Sequence, residues 1–185
     1  MKYKSIFQSF FLLVFLSCQS FSLFSQVSGS KNASLLLREV MLVDIAPAGA
    51  ITLSLPSPSE AGNGLTASTI NNRKWLNYTC AIATGASTRN ITAALNHEIP
   101  GMDVQLKASS VQGKYGGITD MATSQITLHT VASTIITGIG GAYTGDGIGN
   151  GHQISISIMA NKQNYGQIRS QNNTPVQIIY TISSN

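Results

Sequence analysis

Apolar and polar positions alternate along most of this chain, in runs too short for helices. Residues 51–55 (ITLSL) alternate cleanly and predict a half-buried strand. The stretch that follows, PSPSEAGNG at 56–64, ends it, because neither strand nor helix runs through that density of Pro, Gly and Ser. Further strands are predicted at 73–82, 89–95, 103–108, 125–131 and 134–139. A glycine-rich stretch, 138–151, precedes 152–160, where Ile154, Ile156 and Ile158 alternate with Ser155 and Ser157. The last run, 175–183, puts Val176, Ile178, Tyr180 and Ile182 on one face. One turn of helix at 119–124 is the single exception. About 8–9 strands with turn signals between them predict an all-β fold, a single antiparallel β-sandwich.

Residues 33–45 (ASLLLREVMLVDI) are apolar on both phases. Leu35, Leu37, Met41, Val43 and Ile45 share one phase, and Leu36, Val40 and Leu42 the other. The β-branched Val40, Val43 and Ile45 favour a strand over a helix. Such a strand is central, or crosses between sheets, or leaves its domain to complete a neighbour's sheet.

Residues 1–25 carry the three parts of a secretory signal. Lys2 and Lys4 come first, an apolar run spans 6–16, and Ser22 and Ser25 are small residues after which cleavage is expected. A run of about ten residues is half of the roughly 20 that cross a bilayer. The expectation is therefore an exported domain over 26–185 with no transmembrane segment once the signal is removed. Lipoprotein processing at Cys18 is the alternative, in a sequence context poorly matched to it.

Charge then loses its first meaning. The chain has a formal charge of +4 and a pI near 9.2, but Lys2 and Lys4 belong to the signal. The remaining cations are scattered, with Arg73-Lys74 their only adjacent pair. A nucleic-acid binder clusters its cations on one face, so no nucleic-acid partner is expected. At 10% charged and 43% apolar residues, a coiled coil and a disordered chain are both excluded. With Cys18 in the signal, Cys80 stands alone, so no internal disulfide is expected. It shares the apolar phase of Leu76, Tyr78 and Ile82, the place of a buried thiol.

Candidate chemistry is sparse. His97, His129 and His152 show no metal-ligand spacing, and no nucleophile elbow is present. A glycosidase pair needs only that two carboxylates meet in space, for example Glu98 with Asp103, and nothing in the sequence favours one. No catalytic residue, metal or cofactor is expected, and the protein reads as a non-enzyme. The loop at 144–151 (TGDGIGNG) lacks the Lys-Ser/Thr of a phosphate loop and reads chiefly as a turn. Trp75 falls on the polar phase between Arg73 and Asn77, where an exposed ring would stack on a sugar. With Tyr143, Asp146 and Asn150 it forms the candidate ligand set of an alternative function, a carbohydrate-binding module.

An exported sandwich with an apolar first strand at 33–45 and an alternating last strand at 176–182 resembles chaperone–usher fimbrial subunits of Gram-negative bacteria. The stretches WLNYT at 75–79, 138–152 and YTI at 180–182 are also similar to small secreted bacterial proteins. The fimbrial resemblance implies an immunoglobulin-like sandwich at the periplasm or cell surface. It also implies like subunits or a periplasmic chaperone as partners. The expected function is a structural or adhesive surface subunit assembled by strand addition. Its pairing interface would set Leu35, Leu37, Met41, Val43 and Ile45 beside Val176, Ile178, Tyr180 and Ile182.

Overall fold

A computed structural model describes residues 29–113, 115–117, 119–170 and 175–184. The signal expected at 1–25, with Cys18, lies outside them. The chain divides into two units, 1–36 and 37–185. Of the first, residues 29–36 are described, and they are exposed and without regular structure. The second holds every strand found among the described residues.

Among the described residues eleven strands are present: β1 (Val40–Ala46), β2 (Asn71–Ala81), β3 (Arg89–Leu95), β4 (Met102–Gln112), β5 (Tyr115–Gly116), β6 (Met121–Ala122), β7 (Ile126–Leu128), β8 (Ser133–Ile139), β9 (Ala142–Tyr143), β10 (Gly151–Ala160) and β11 (Ile178–Ser184). They form two antiparallel sheets packed face to face, the sandwich expected from the alternation. In the larger sheet β2 is central. It pairs with β1 on one side and with β10 and then β9 on the other, and the sheet continues from β10 through β4 to β7. The smaller sheet runs β11-β3-β8-β6. Strands β1 and β11 are therefore the outer strands of their sheets, and they touch across the sandwich on one flank.

The core follows the inward phase of each strand. Leu76, Tyr78 and Cys80 of β2 meet Ile91, Ala93 and Leu95 of β3, with Leu106, Ile136 and Ile154 among them. Each fully buried Leu or Ile contributes roughly 1.5–3 kcal/mol. Burial of this kind carries the fold, with Cys80 a free, buried thiol. Among the described residues no helix is long and apolar enough to cross a membrane.

Three expectations are corrected. Residues 51–55 belong to no strand, although Ile51 and Leu53 pack against the core as the alternation requires. One buried face is all that alternation reports, and an extended segment achieves it without a ladder partner. Residues 119–124 contain β6 and no helical turn. The first strand begins at Val40 rather than near 33, and its seven residues pair in full register with β2 of the same chain. Among the described residues the one helical piece is a 3-10 turn at Tyr165–Gln167.

Candidate functional site

Two groups of side chains stand out, one on the outer face of the larger sheet and one inside the sandwich. The outer one begins at Asn77. Its side chain points away from the core and fastens the glycine-rich loop onto β2. Asn77 Nδ2 donates to the carbonyls of Asn150 (2.8 Å) and Gly147 (3.3 Å), and Asn77 Oδ1 accepts from the Gly147 N–H (3.1 Å). Asn150 Nδ2 closes the loop by donating to the Asp146 carbonyl at 2.7 Å. Where the loop leaves for β10, Gly151 lies against β2 with φ +74°, and an added Cβ would strike the Leu76 carbonyl oxygen. Thr144 joins the loop to the ladder: Tyr78 N–H donates to Thr144 Oγ1, and Thr144 N–H to the Tyr78 carbonyl.

This clamp borders a groove of about 600 Å³, whose lining includes Leu42, Asp44, Thr79, Tyr143 and Asp146. Of the expected ligand set, Tyr143 and Asp146 thus come together. Asn150 is occupied in holding the loop. Trp75 is a correction: it is buried, at 8% exposure, and offers no ring face to a sugar. Residues 74–78 of β2 are buried without a break, so the strand is covered on both faces there. Next to it Lys74 is buried as well, its Nζ donating to the carbonyls of Pro47 and Gly49 at 2.6 Å each.

The inner group is a chain of hydrogen bonds that the sequence did not announce. Tyr78 Oη donates to Asp120 Oδ2 at 2.9 Å, and His152 Nε2 stands 2.7 Å from the same oxygen. His152 Nδ1 lies 2.8 Å from the Ser109 carbonyl. A carbonyl only accepts, so Nδ1 carries a hydrogen, and one further proton is shared between Nε2 and Oδ2. The side chains of His152 and Asp120 are 1% and 0% exposed. The rings of Tyr78 and His152 stack at 6.2 Å. Burial, with Asp120 beside it, pushes the Tyr78 hydroxyl well above the ordinary tyrosine range. Both ring nitrogens of His152 are committed, so neither is free to take a proton from a substrate. The arrangement ties β2, β4 and β10 to the segment entering β6.

Elsewhere the candidate groups separate. Glu98 pairs with His129 at the surface (3.2 Å), whereas Asp103 accepts from Asn161 (3.0 Å). Glu39 reaches the buried Arg89 at 3.0 Å and also accepts from the Ala83 N–H. No group of three or more His, Cys, Asp or Glu suited to a metal occurs among the described residues.

The residues expected to pair strands fall in three places. Leu35 and Leu37 are exposed, before β1. Met41, Val43 and Ile45 lie on β1, Met41 exposed and the other two packed against the core. Val176 approaches β11, and Ile178, Tyr180 and Ile182 lie on it, all four partly buried against the core. Burial raises the Tyr180 hydroxyl above its ordinary range. No protein-family model, curated protein or solved structure matches this chain.

Proposed function

We propose that this protein is an exported structural or adhesive surface subunit that associates by β-strand addition, with like subunits or a periplasmic chaperone as partners. The observation that carries the reading is the flank formed by β1 and β11. Among the described residues each strand pairs on one side only, β1 with β2 and β11 with β3. Natural sheets guard such edges with Lys, Pro, bulges or very short strands. Here β1 has one charged residue, Asp44, and β11 has none, and both pair without a bulge over seven residues. An added strand would gain main-chain hydrogen bonds at these edges, and its alternate side chains would meet Val43, Ile45, Tyr180 and Ile182.

The donor is narrower than residues 33–45. Val40–Ala46 is already paired within its own chain, which leaves 33–39, where Leu35, Leu36 and Leu37 are 79–91% exposed. Sedimentation equilibrium of the wild type against Met41→Lys and Thr181→Lys tests the reading. Both positions are exposed on the outer strands, and an edge lysine opposes pairing. The wild type is expected to associate with rising concentration, and each variant to need at least about tenfold more protein for the same association. A wild type that stays monomeric, or variants that associate equally well, would contradict it.

A further inference from the structure

β4 has a neighbour along only part of its outer edge. β7 covers Val104–Leu106, and among the described residues the stretch beyond Leu106 pairs with β10 alone. The reason lies in the chain between β6 and β7. β6 pairs with β8 in the smaller sheet and β7 with β4 in the larger, so residues 123–125 cross from one sheet to the other. The crossing leaves an open stretch of β4 beside the open edge of β6. Between them lies a groove of about 850 Å³, with residues 107–111 in one wall and 120–124 in the other. Lys107 is exposed on the outward phase of β4, opposite Ser155, which also lines the groove. The next residue, Ala108, is small and buried on the inward phase. In the facing wall the side chain of Asp120 is 0% exposed, and its Oδ2 takes both Tyr78 and His152. Asp120 Oδ1 is buried and has no hydrogen-bond partner among the described residues. A buried acceptor without a donor is unfavourable, and a donor laid beside it removes the cost.

We propose that this groove binds an extended segment of another protein, which adds to the free edge of β4 with an acidic side chain outside and a hydroxyl-bearing one inside. The segment would take up the line that β7 vacates at Leu106 and exchange main-chain hydrogen bonds with residues 107–111. Successive side chains of a strand point to opposite faces. The one opposite Lys107 therefore lies outside, where a carboxylate complements the exposed ammonium group. The next lies inside, above Ala108 and Ala122, where its hydroxyl gives Asp120 Oδ1 the donor it lacks. The inference stands apart from self-association through β1 and β11, which uses the opposite flank.

Residues 107–111 span about 17 Å of strand, so a labelled peptide of about seven residues, alternating threonine and glutamate, is the probe for an anisotropy titration. It is expected to bind at least about tenfold more tightly than its threonine–lysine counterpart, or than the same peptide N-methylated throughout, which has no ladder donors. A valine–glutamate peptide, which keeps the shape and loses the hydroxyls, should bind at least about fivefold more weakly. Lys107→Glu, an exposed substitution, should reverse the charge preference, weakening the threonine–glutamate peptide about tenfold or more and admitting the threonine–lysine one. Hydrogen exchange locates the site: saturating peptide should protect amides of β4 within 107–112 and leave β1 and β11 as they were. No binding at millimolar peptide, equal binding of the N-methylated or valine peptide, an unchanged preference in Lys107→Glu, or protection at β1 or β11 instead of β4 would overturn the proposal. None of these arms reads self-association, so either reading can fail without the other.

Discussion

Tyr78, Asp120 and His152 show what a buried polar cluster demands of single residues. Asp120 Oδ2 takes two hydrogen-bonding partners within the sandwich, and removing it strands both. Asp120→Ala should destabilise the fold by about 3–5 kcal/mol, the usual cost of breaking a buried pair. Tyr78→Phe, which removes a single donor, should cost about 1–1.5 kcal/mol. In the double variant the second change should add almost nothing, because the hydroxyl has already lost its acceptor. Urea unfolding of the four proteins checks this, and additive losses would contradict the shared oxygen. Tyr78 and Tyr180 also make an alkaline prediction, since both hydroxyls are held above the ordinary value near 10, first of all by burial. Above that value the unfolded chain gives up these protons while the folded one keeps them. Stability is therefore fully present below about pH 10 and falls as pH rises past it, by up to about 1.4 kcal/mol per pH unit for each tyrosine. Tyr180→Phe should flatten the decline of the urea midpoint between pH 9.5 and 11, and an unchanged slope would count against a buried hydroxyl.

At the scale of elements, alternation was a good guide to which face is buried and a poorer one to which segments pair. β3 and β10 lie close to where the period of two puts them, because β3 alternates along its whole length and β10 over 152–157. Residues 51–55 have the same pattern without a ladder, because ladder partners come from distant sequence that a local pattern does not contain. Trp75 misled for a related reason. Its polar phase marks the outer face of β2 correctly, but that face is itself covered along 74–78. His152 did carry a signal, since it shares the inward phase of Ile154 and Ile156. Its partner Asp120 sits 32 residues away outside any strand, with no periodicity to reveal it. The glycine-rich loop was legible as a turn, and its attachment through Asn77 was not. That attachment makes Gly151 a sharp test: Gly151→Ala combines a left-handed φ with a backbone collision and should cost at least about 1–3 kcal/mol by urea unfolding. A neutral substitution there would mean that the loop does not pack on β2 as described.

For the whole molecule, charge that is scarce overall is scarcer still where it would matter most. One flank of the sandwich leaves two seven-residue strand edges with a single carboxylate between them. On the opposite flank the outer strands, β6 and β7, have two and three residues and so offer little to pair with. Association through strand addition therefore predicts which flank is used. Backbone hydrogen exchange, followed by mass spectrometry on dilute and on concentrated protein, reads this directly. Peptides covering β1 and β11 should gain protection as the protein associates, while those covering β6 and β7 exchange as before. Unchanged exchange at β1 and β11 in the associated protein, or new protection confined to β6 and β7, would contradict the account.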